Sequence, residues 1–317
     1  MSKECPVQKK TSIGGQALIE GVMMRGPQKT AMAVRHTSGE IVMEEFETKG
    51  GKSIFSRIPL VRGVVNMVQS LVVGYKCLMR SAELAGLEEE APDPEKPASK
   101  GQEVLMTLVM IVSTILGFGI AIGLFIYLPA LLFNFFAGTL FEADLEASSM
   151  RIWRSVFEGV IRIVLFVGYM AVVSLMKDIH RVFQYHGAEH KSIFCYEAGE
   201  ELTVENVRKH SRFHPRCGTS FMILMLIVGI VIAMFIPVTD PLWRTVIKIL
   251  TIPLLVGIGY ELIKWAGRSN NWFTRIISKP GVWMQHITTK EPDDSMIECA
   301  IASLKAVIPE DPEEDKW

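Results

Sequence analysis

Residues 104–137 read VLMTLVMIVSTILGFGIAIGLFIYLPALLFNFFA, an apolar stretch without a single charged residue. One straight helix of this length would reach roughly 50 Å, whereas a bilayer core needs about 30 Å. We therefore predict one membrane span over residues 104–127, which Pro129 ends, followed by an interfacial or re-entrant segment up to residue 138. A tight helical hairpin is the competing interpretation.

Three further apolar segments follow, so the sequence predicts a mainly α integral membrane protein with about four transmembrane helices. They cover residues 152–176, 219–238 and 246–265. Basic residues are concentrated beside the spans, in residues 177–218 and in the tail over residues 266–317. The positive-inside rule makes that side cytoplasmic. We therefore predict a multi-pass protein with both termini in the cytoplasm and the lipid bilayer as a partner.

Residues 1–90 predict a small α+β module on the cytoplasmic side. The glycines within residues 13–24 suggest short strands with tight bends, and two β-like runs within residues 31–46 flank a Gly-containing turn typical of a hairpin. Residues 53–87 show the apolar periodicity of a helix. A charged, proline-rich linker over residues 91–103 then separates the module from the first span.

Composition narrows the classes of function. The chain has 33 basic and 34 acidic residues and a formal net charge of -1, which gives no support to nucleic-acid binding. Hydrophobic residues make up 49% of the 317, and together with the apolar segments they exclude a purely soluble protein. The five cysteines form no CxxC pair, so we expect free thiols rather than a disulfide framework.

Charged residues inside a span are costly and are often paired. Glu158 lies four residues from both Arg154 and Arg162 in the second predicted span. Residues at this spacing are neighbours on a helix surface. The sequence therefore predicts an ion network within that helix, near the outer interface.

The cytoplasmic segment over residues 177–218 holds five of the seven histidines. Within it, His186-Gly-Ala-Glu189-His190 has the form H-x-x-E-H, and on a helix the two histidines face the same side. Two imidazoles at this spacing can hold Zn²⁺ or another divalent metal. Glu189 is placed to act as a general base on water at the metal, as in the inverted zincin motif.

A third ligand must come from elsewhere in the chain. The candidates are His210, His214 and Cys217, within the sequence HSRFHPRC. His210 and His214 also stand four residues apart, on a helix that Pro215 is expected to end, and His214 and Cys217 can converge across the intervening turn. Three protein ligands plus water describe a catalytic zinc site and four closed ligands a structural one. The residues allow either.

Three charged residues are candidate accessories of the metal site. Glu20 and Arg25 lie in the glycine-rich stretch over residues 14–27. Glu20 offers a carboxylate ligand, and Arg25 offers a guanidinium for an anionic substrate or a lipid phosphate; a tightly turned strand pair is the alternative. Glu261, near the cytoplasmic end of the fourth span, is a further candidate for the third ligand or for a partner of one.

Four motifs resemble the bacterial YqhQ family, which carries the domain DUF1385. They are GGQALIEGVMMRGP at residues 14–27, HGAEHK at 186–191, HPRCGTSF at 214–221 and EPDD at 291–294. The resemblance covers nearly the whole chain. It implies a metal-dependent enzyme of the bacterial cell membrane, groups the N-terminal motif with the histidine segment, and supplies no substrate.

Two functional hypotheses follow. The first is a zinc hydrolase at the cytoplasmic membrane surface, acting on a membrane-associated peptide, protein or lipid, with Glu189 as the proton acceptor. The second is a non-enzymatic scaffold or assembly factor with a structural metal. Four spans with few buried charges argue against a solute pathway unless the chain forms a homo-oligomer.

Overall fold

The computed structural model describes residues 10–48, 58–87, 100–140, 148–268, 272–311 and 313–315. The chain divides into two compact units. The first comprises residues 1–87, 170–224 and 256–317, and the second comprises residues 88–169 and 225–255. The predicted linker over residues 91–103 falls largely outside the described residues, as does the start of the predicted helix over residues 53–87.

The first unit is built on a four-stranded antiparallel sheet with the strands in chain order. The strands are β1 Gly14–Leu18, β2 Gly21–Arg25, β3 Lys29–Arg35 and β4 Ile41–Glu47. The glycine-rich stretch thus forms the first hairpin, with Leu18 paired to Gly21, and β3 and β4 form another. The prediction of short strands with tight bends in this module is confirmed.

Helices make up most of the described chain. In order they are α1 Val61–Leu84, α2 Lys100–Ile122, α3 Leu128–Asn134, α4 Ser148–Val173, α5 Lys177–Glu197, α6 Val204–Lys209, α7 Gly218–Ala233, α8 Pro241–Leu250, α9 Ile252–Arg268, α10 Trp272–Thr288 and α11 Asp294–Val307. Wider π-helical turns cover Gly123–Tyr127 and Phe135–Leu140. The helix predicted for the HxxEH segment is α5.

The core of the first unit lies on both faces of the sheet. One face carries Val22 and Met24 and packs against α5 and α11. The other face carries Met23 and packs against α1. On α11, Ile297 and Leu304 are fully buried, and each such side chain contributes roughly 1.5–3 kcal/mol to folding. The C-terminal tail is therefore part of the core, a role that the sequence pattern does not predict.

Among the described residues, two helical segments are long and apolar enough to cross a membrane, Val104–Gly138 with 35 residues and Met150–Val173 with 24. The first is continuous helix without the turn that a hairpin requires. The predicted break at Pro129 is wrong, because the helix passes through it. Pro129 has no N–H to donate to the Phe125 carbonyl, and Arg162 donates to that carbonyl instead at 2.7 Å.

The third and fourth predicted spans are not single long helices. The apolar stretch Phe221–Ala233 of α7 is shorter than a bilayer crossing requires. The fourth is broken into α8 and α9, which are bent by 50°. Pro253, in the first turn of α9, cannot donate to the Ile249 carbonyl and so interrupts the helix there. The described residues show two candidate spans, or up to three if the bent pair is one span.

The ion network around Glu158 is not intrahelical, which corrects the sequence prediction. Its carboxylate accepts a hydrogen bond from Arg244 Nε at 3.0 Å and is paired with Lys248, and both partners lie on α8. Arg154 and Arg162 instead donate to backbone carbonyls. The prediction fails because four-residue spacing allows a pair within one helix but does not exclude a better partner on a neighbouring helix.

Candidate metal centre

Three of the predicted ligands meet at one point of the first unit. His186 and His190 lie one turn apart on α5, and Cys217 directly precedes α7. Their ligand atoms all lie within 4.8 Å of one another, and His186 Nε2 is 3.1 Å from Cys217 Sγ. A tetrahedral zinc ion separates its donors by roughly 3.3–3.7 Å. The three side chains therefore fit a single ion without rearrangement of the backbone.

Backbone carbonyls hold both imidazoles in the tautomer that a metal requires. His186 Nδ1 donates to the Thr288 carbonyl at 2.9 Å, and His190 Nδ1 donates to the Arg212 carbonyl at 2.5 Å. Each ring then keeps the lone pair of Nε2 for an ion. These two acceptors could not be predicted from the sequence, because every residue has a carbonyl and no pattern distinguishes the ones that accept these hydrogen bonds.

The pKa values of two donors are shifted toward the forms that bind metal. Burial, together with the neighbouring His186, lowers the pKa of His190 to about 4, so the ring is neutral at pH 7. Burial raises the pKa of the Cys217 thiol, but the N–H and hydroxyl of Thr219 donate hydrogen bonds to its sulfur, and the pKa is lowered overall. A neutral imidazole and a thiolate are the forms that zinc binds.

Glu189 is buried beside the three donors. The N–H of Gly15 donates to its carboxylate, and a Cβ built on Gly15 would lie 2.9 Å from Glu189 Cδ. Burial raises the pKa of Glu189 to about 7, helped by Cys217 and opposed by His186 and Gly15. A carboxyl group with such a pKa suits proton transfer at neutral pH. The first hairpin thus reaches the site through the backbone of Gly15.

His214 lies next to the three donors, but its ring nitrogen faces a different partner. The ring centroids of His190 and His214 are 5.5 Å apart, while His214 Nε2 lies 3.7 Å from a carboxylate oxygen of Glu197. The side chain of Gln285 bonds the backbone N–H and carbonyl of His214, each at 2.7 Å. His214 therefore flanks the donors and is held by its backbone.

His210 does not join the three donors. The predicted helix through His210 and His214 is wrong, since α6 ends at Lys209 and His210 is extended, with φ −80° and ψ 160°. This extended course lets the backbone of His214 pair with Gln285. The Nε2 atom of His210 lies 3.3 Å from Glu200, at a separate group of side chains.

The accessory residues predicted from the sequence have other partners. Glu20 accepts two hydrogen bonds from Arg181, and Glu261 is paired with Arg62. Arg25 lies on the sheet face that packs against α1, whereas α5 packs on the opposite face. Within the described chain, none of these three belongs to the group formed by the donors.

Gly187 lets α5 pass close to the segment that follows Thr288. A Cβ at this position would lie 2.0 Å from the Lys290 carbonyl oxygen, so the backbone would have to move. We expect Gly187→Ala to lower the free energy of unfolding by about 1–3 kcal/mol. Thermal unfolding in detergent measures this. Gly14→Ala is the matched control, since nothing lies within 4 Å of that Cβ, and equal destabilisation of both variants would contradict the clash.

Comparisons with known proteins agree with the motifs. The family described as "Protein of unknown function (DUF1385)" matches residues 58–310. The chain is 35% identical over 302 residues to "Uncharacterized protein YqhQ" of Bacillus subtilis (strain 168). The aligned region covers 93% of this chain and 92% of that protein. No solved structure matches the chain.

Proposed function

The chain belongs to the DUF1385 family, and from that premise we propose that it is a membrane-bound, metal-dependent hydrolase whose ion is held by His186, His190 and Cys217. One observation carries the proposal. Both imidazoles use Nδ1 on backbone carbonyls, so that their free nitrogens and the sulfur converge beside the buried carboxylate of Glu189. Three protein ligands leave the fourth position of zinc open, as in catalytic sites.

Zinc, or another divalent ion in this place, would supply Lewis-acid chemistry to a carbonyl or phosphoryl group and to water. Glu189 would accept the proton of the attacking water and return it to the leaving group. Gly15 orients this carboxylate through its N–H. The carbonyls of Thr288 and Arg212 keep the two rings fixed throughout.

We place this chemistry at the cytoplasmic surface of a bacterial cell membrane, on a membrane-associated peptide, protein or lipid. Only residues 174–176 separate the candidate span in α4 from α5, so the helix that carries both histidines begins where a span ends. In this topology the bent pair α8–α9 crosses once, and the short helix α7 crosses where the bilayer is locally thinned, so that four spans leave both termini in the cytoplasm.

Glu189→Gln should retain the metal but lose hydrolysis, by about 10²–10⁴-fold, because the amide has the same shape and cannot accept a proton. The measurement compares turnover of peptide and phospholipid ester panels by the detergent-purified variant and wild type, beside metal content. Glu205→Gln, at an exposed position, is the control. Unchanged turnover in Glu189→Gln would remove the residue from the mechanism.

A structural metal in a non-enzymatic scaffold is the second candidate function. It is favoured by the burial of the site, because His190 is only 1% exposed and a substrate would have little access to the ion. X-ray absorption of the zinc-loaded His210→Ala variant, which keeps the three donors of this centre, separates the two. Two imidazoles and one sulfur per zinc leave a position open and support the hydrolase, whereas a further imidazole or sulfur supports the scaffold.

The proposed topology predicts the accessibility of two positions. Ser148→Cys and Pro241→Cys should react with a membrane-impermeant maleimide added to intact cells, because both would face outward. The native cysteines would not react under the same conditions, so the wild-type chain is the control. Labelling of both positions only after the cytoplasm is opened would reverse the orientation.

A further inference from the structure

A second group of metal-ligating side chains lies apart from the first. Cys195, Glu200 and His210 offer ligand atoms that all lie within 4.8 Å of one another. Cys195 is in the last turn of α5, Glu200 follows that helix, and His210 directly follows α6. The three donors therefore come from three successive pieces of backbone that meet at one point.

We propose that Cys195, Glu200 and His210 bind a second ion, a zinc or chemically similar transition metal, that ties the end of α5 to the end of α6. The set of donors is one sulfur, one carboxylate and one imidazole. Thiolate and imidazole ligands favour zinc over magnesium or calcium, which prefer oxygen ligands. This ion would be separate from the proposed catalytic ion, because no residue of the proposed hydrolase centre is among its ligands.

Burial and distances suit such an ion. Cys195 is fully buried, and the side chain of His210 is 7% exposed, so thiolate and imidazole would face little competition from water. His210 Nε2 lies 3.3 Å from a carboxylate oxygen of Glu200, close to the separation of two donors on one tetrahedral ion. The Glu200 side chain is 33% exposed, which leaves water a route to the fourth position.

The ion would act on the loop that joins the two helices. The backbone between Cys195 and His210 includes the turn around Gly199, which has φ +71°. A metal that joins both ends of this loop stabilises the folded chain, because the unfolded chain does not present the three donors together. Binding displaces the thiol proton of Cys195 into solvent, so no other reactant is needed.

The first test counts ions in the detergent-purified full chain by elemental analysis after zinc loading. His210→Ala and Cys195→Ser should each lower the content by one ion relative to wild type. His180→Ala, an exposed histidine on α5, should leave it unchanged. Wild-type metal content in both His210→Ala and Cys195→Ser would overturn the proposal. The group would then be a buried thiol near backbone carbonyls, next to a hydrogen-bonded His–Glu pair.

A second test measures the site while its three proposed ligands are all in place. The Cys217→Ser variant, titrated with Co²⁺, should still show near-ultraviolet thiolate-to-cobalt absorption, and Cys195→Ser/Cys217→Ser should lack it. No absorption in Cys217→Ser would overturn the second site. The hydrolase proposal is tested separately, because it depends on whether His190→Ala loses an ion.

Discussion

Replacing His190 with alanine should lower the metal content of the zinc-loaded chain by one ion per molecule. Among the residues that the structure describes, His190 is one of three side chains that converge on the proposed catalytic ion, and its ring is fixed by the Arg212 carbonyl. Binding of structural zinc contributes roughly 10–16 kcal/mol in small domains, so losing one of three ligands has a large effect. His186→Ala should do the same, because both rings are held alike.

Elemental analysis of the purified variants measures this loss, with His180→Ala as the matched control on the same helix. Addition of a chelator should lower the melting temperature of the wild-type chain more than that of His190→Ala. If His186→Ala and His190→Ala both retain wild-type metal content, the three donors hold no ion and the hydrolase proposal fails.

Removing the charge of Glu158 should lower the free energy of unfolding by about 3–5 kcal/mol. Glu158 is 1% exposed, and its partner Arg244 is fully buried. Glu158→Gln keeps the size of the side chain but leaves Arg244 and Lys248 without their counter-ion in a region of low dielectric constant. An uncompensated buried charge is far more costly than a lost surface pair.

Thermal or denaturant unfolding in detergent measures this change. Glu83→Gln is the matched control, because it breaks the exposed pair with Arg80 and should cost less than about 1 kcal/mol. Adding Lys248→Met to Glu158→Gln should recover part of the loss by removing one of the two stranded charges. Equal stability of Glu158→Gln and Glu83→Gln would show that the buried network contributes little.

Features that depend on residues close to one another in the sequence could be predicted. The hairpins follow from glycines and alternating residues, and α5 brings His186 and His190 onto one face because helical geometry fixes positions four residues apart. The apolar segment over residues 104–137 also indicates a helix. Its continuation past Pro129 could not be predicted, because the hydrogen bond from Arg162 to the Phe125 carbonyl comes from another helix. Local pattern is sufficient where the contact itself is local.

Features that depend on distant segments could not be predicted. His210 and His214 look equivalent in the sequence, yet Gln285 holds the backbone of one while Glu200 pairs with the other. The buried face of α11 is recognisable only beside the sheet that covers it. Gly15, which orients Glu189, acts through a backbone N–H that any residue carries.

Residues from both ends of the chain contribute to the proposed metal centre. Gly15 comes from β1, and the Thr288 carbonyl that orients His186 comes from the last residue of α10, just ahead of α11. During synthesis, the ribosome releases β1 long before those C-terminal segments exist. The part of the sheet face that α11 covers therefore stays exposed until α11 is made, and the metal centre can form only after translation is nearly finished. Chains that terminate before Thr288 would lack both the carbonyl that orients His186 and the helix that covers this sheet face.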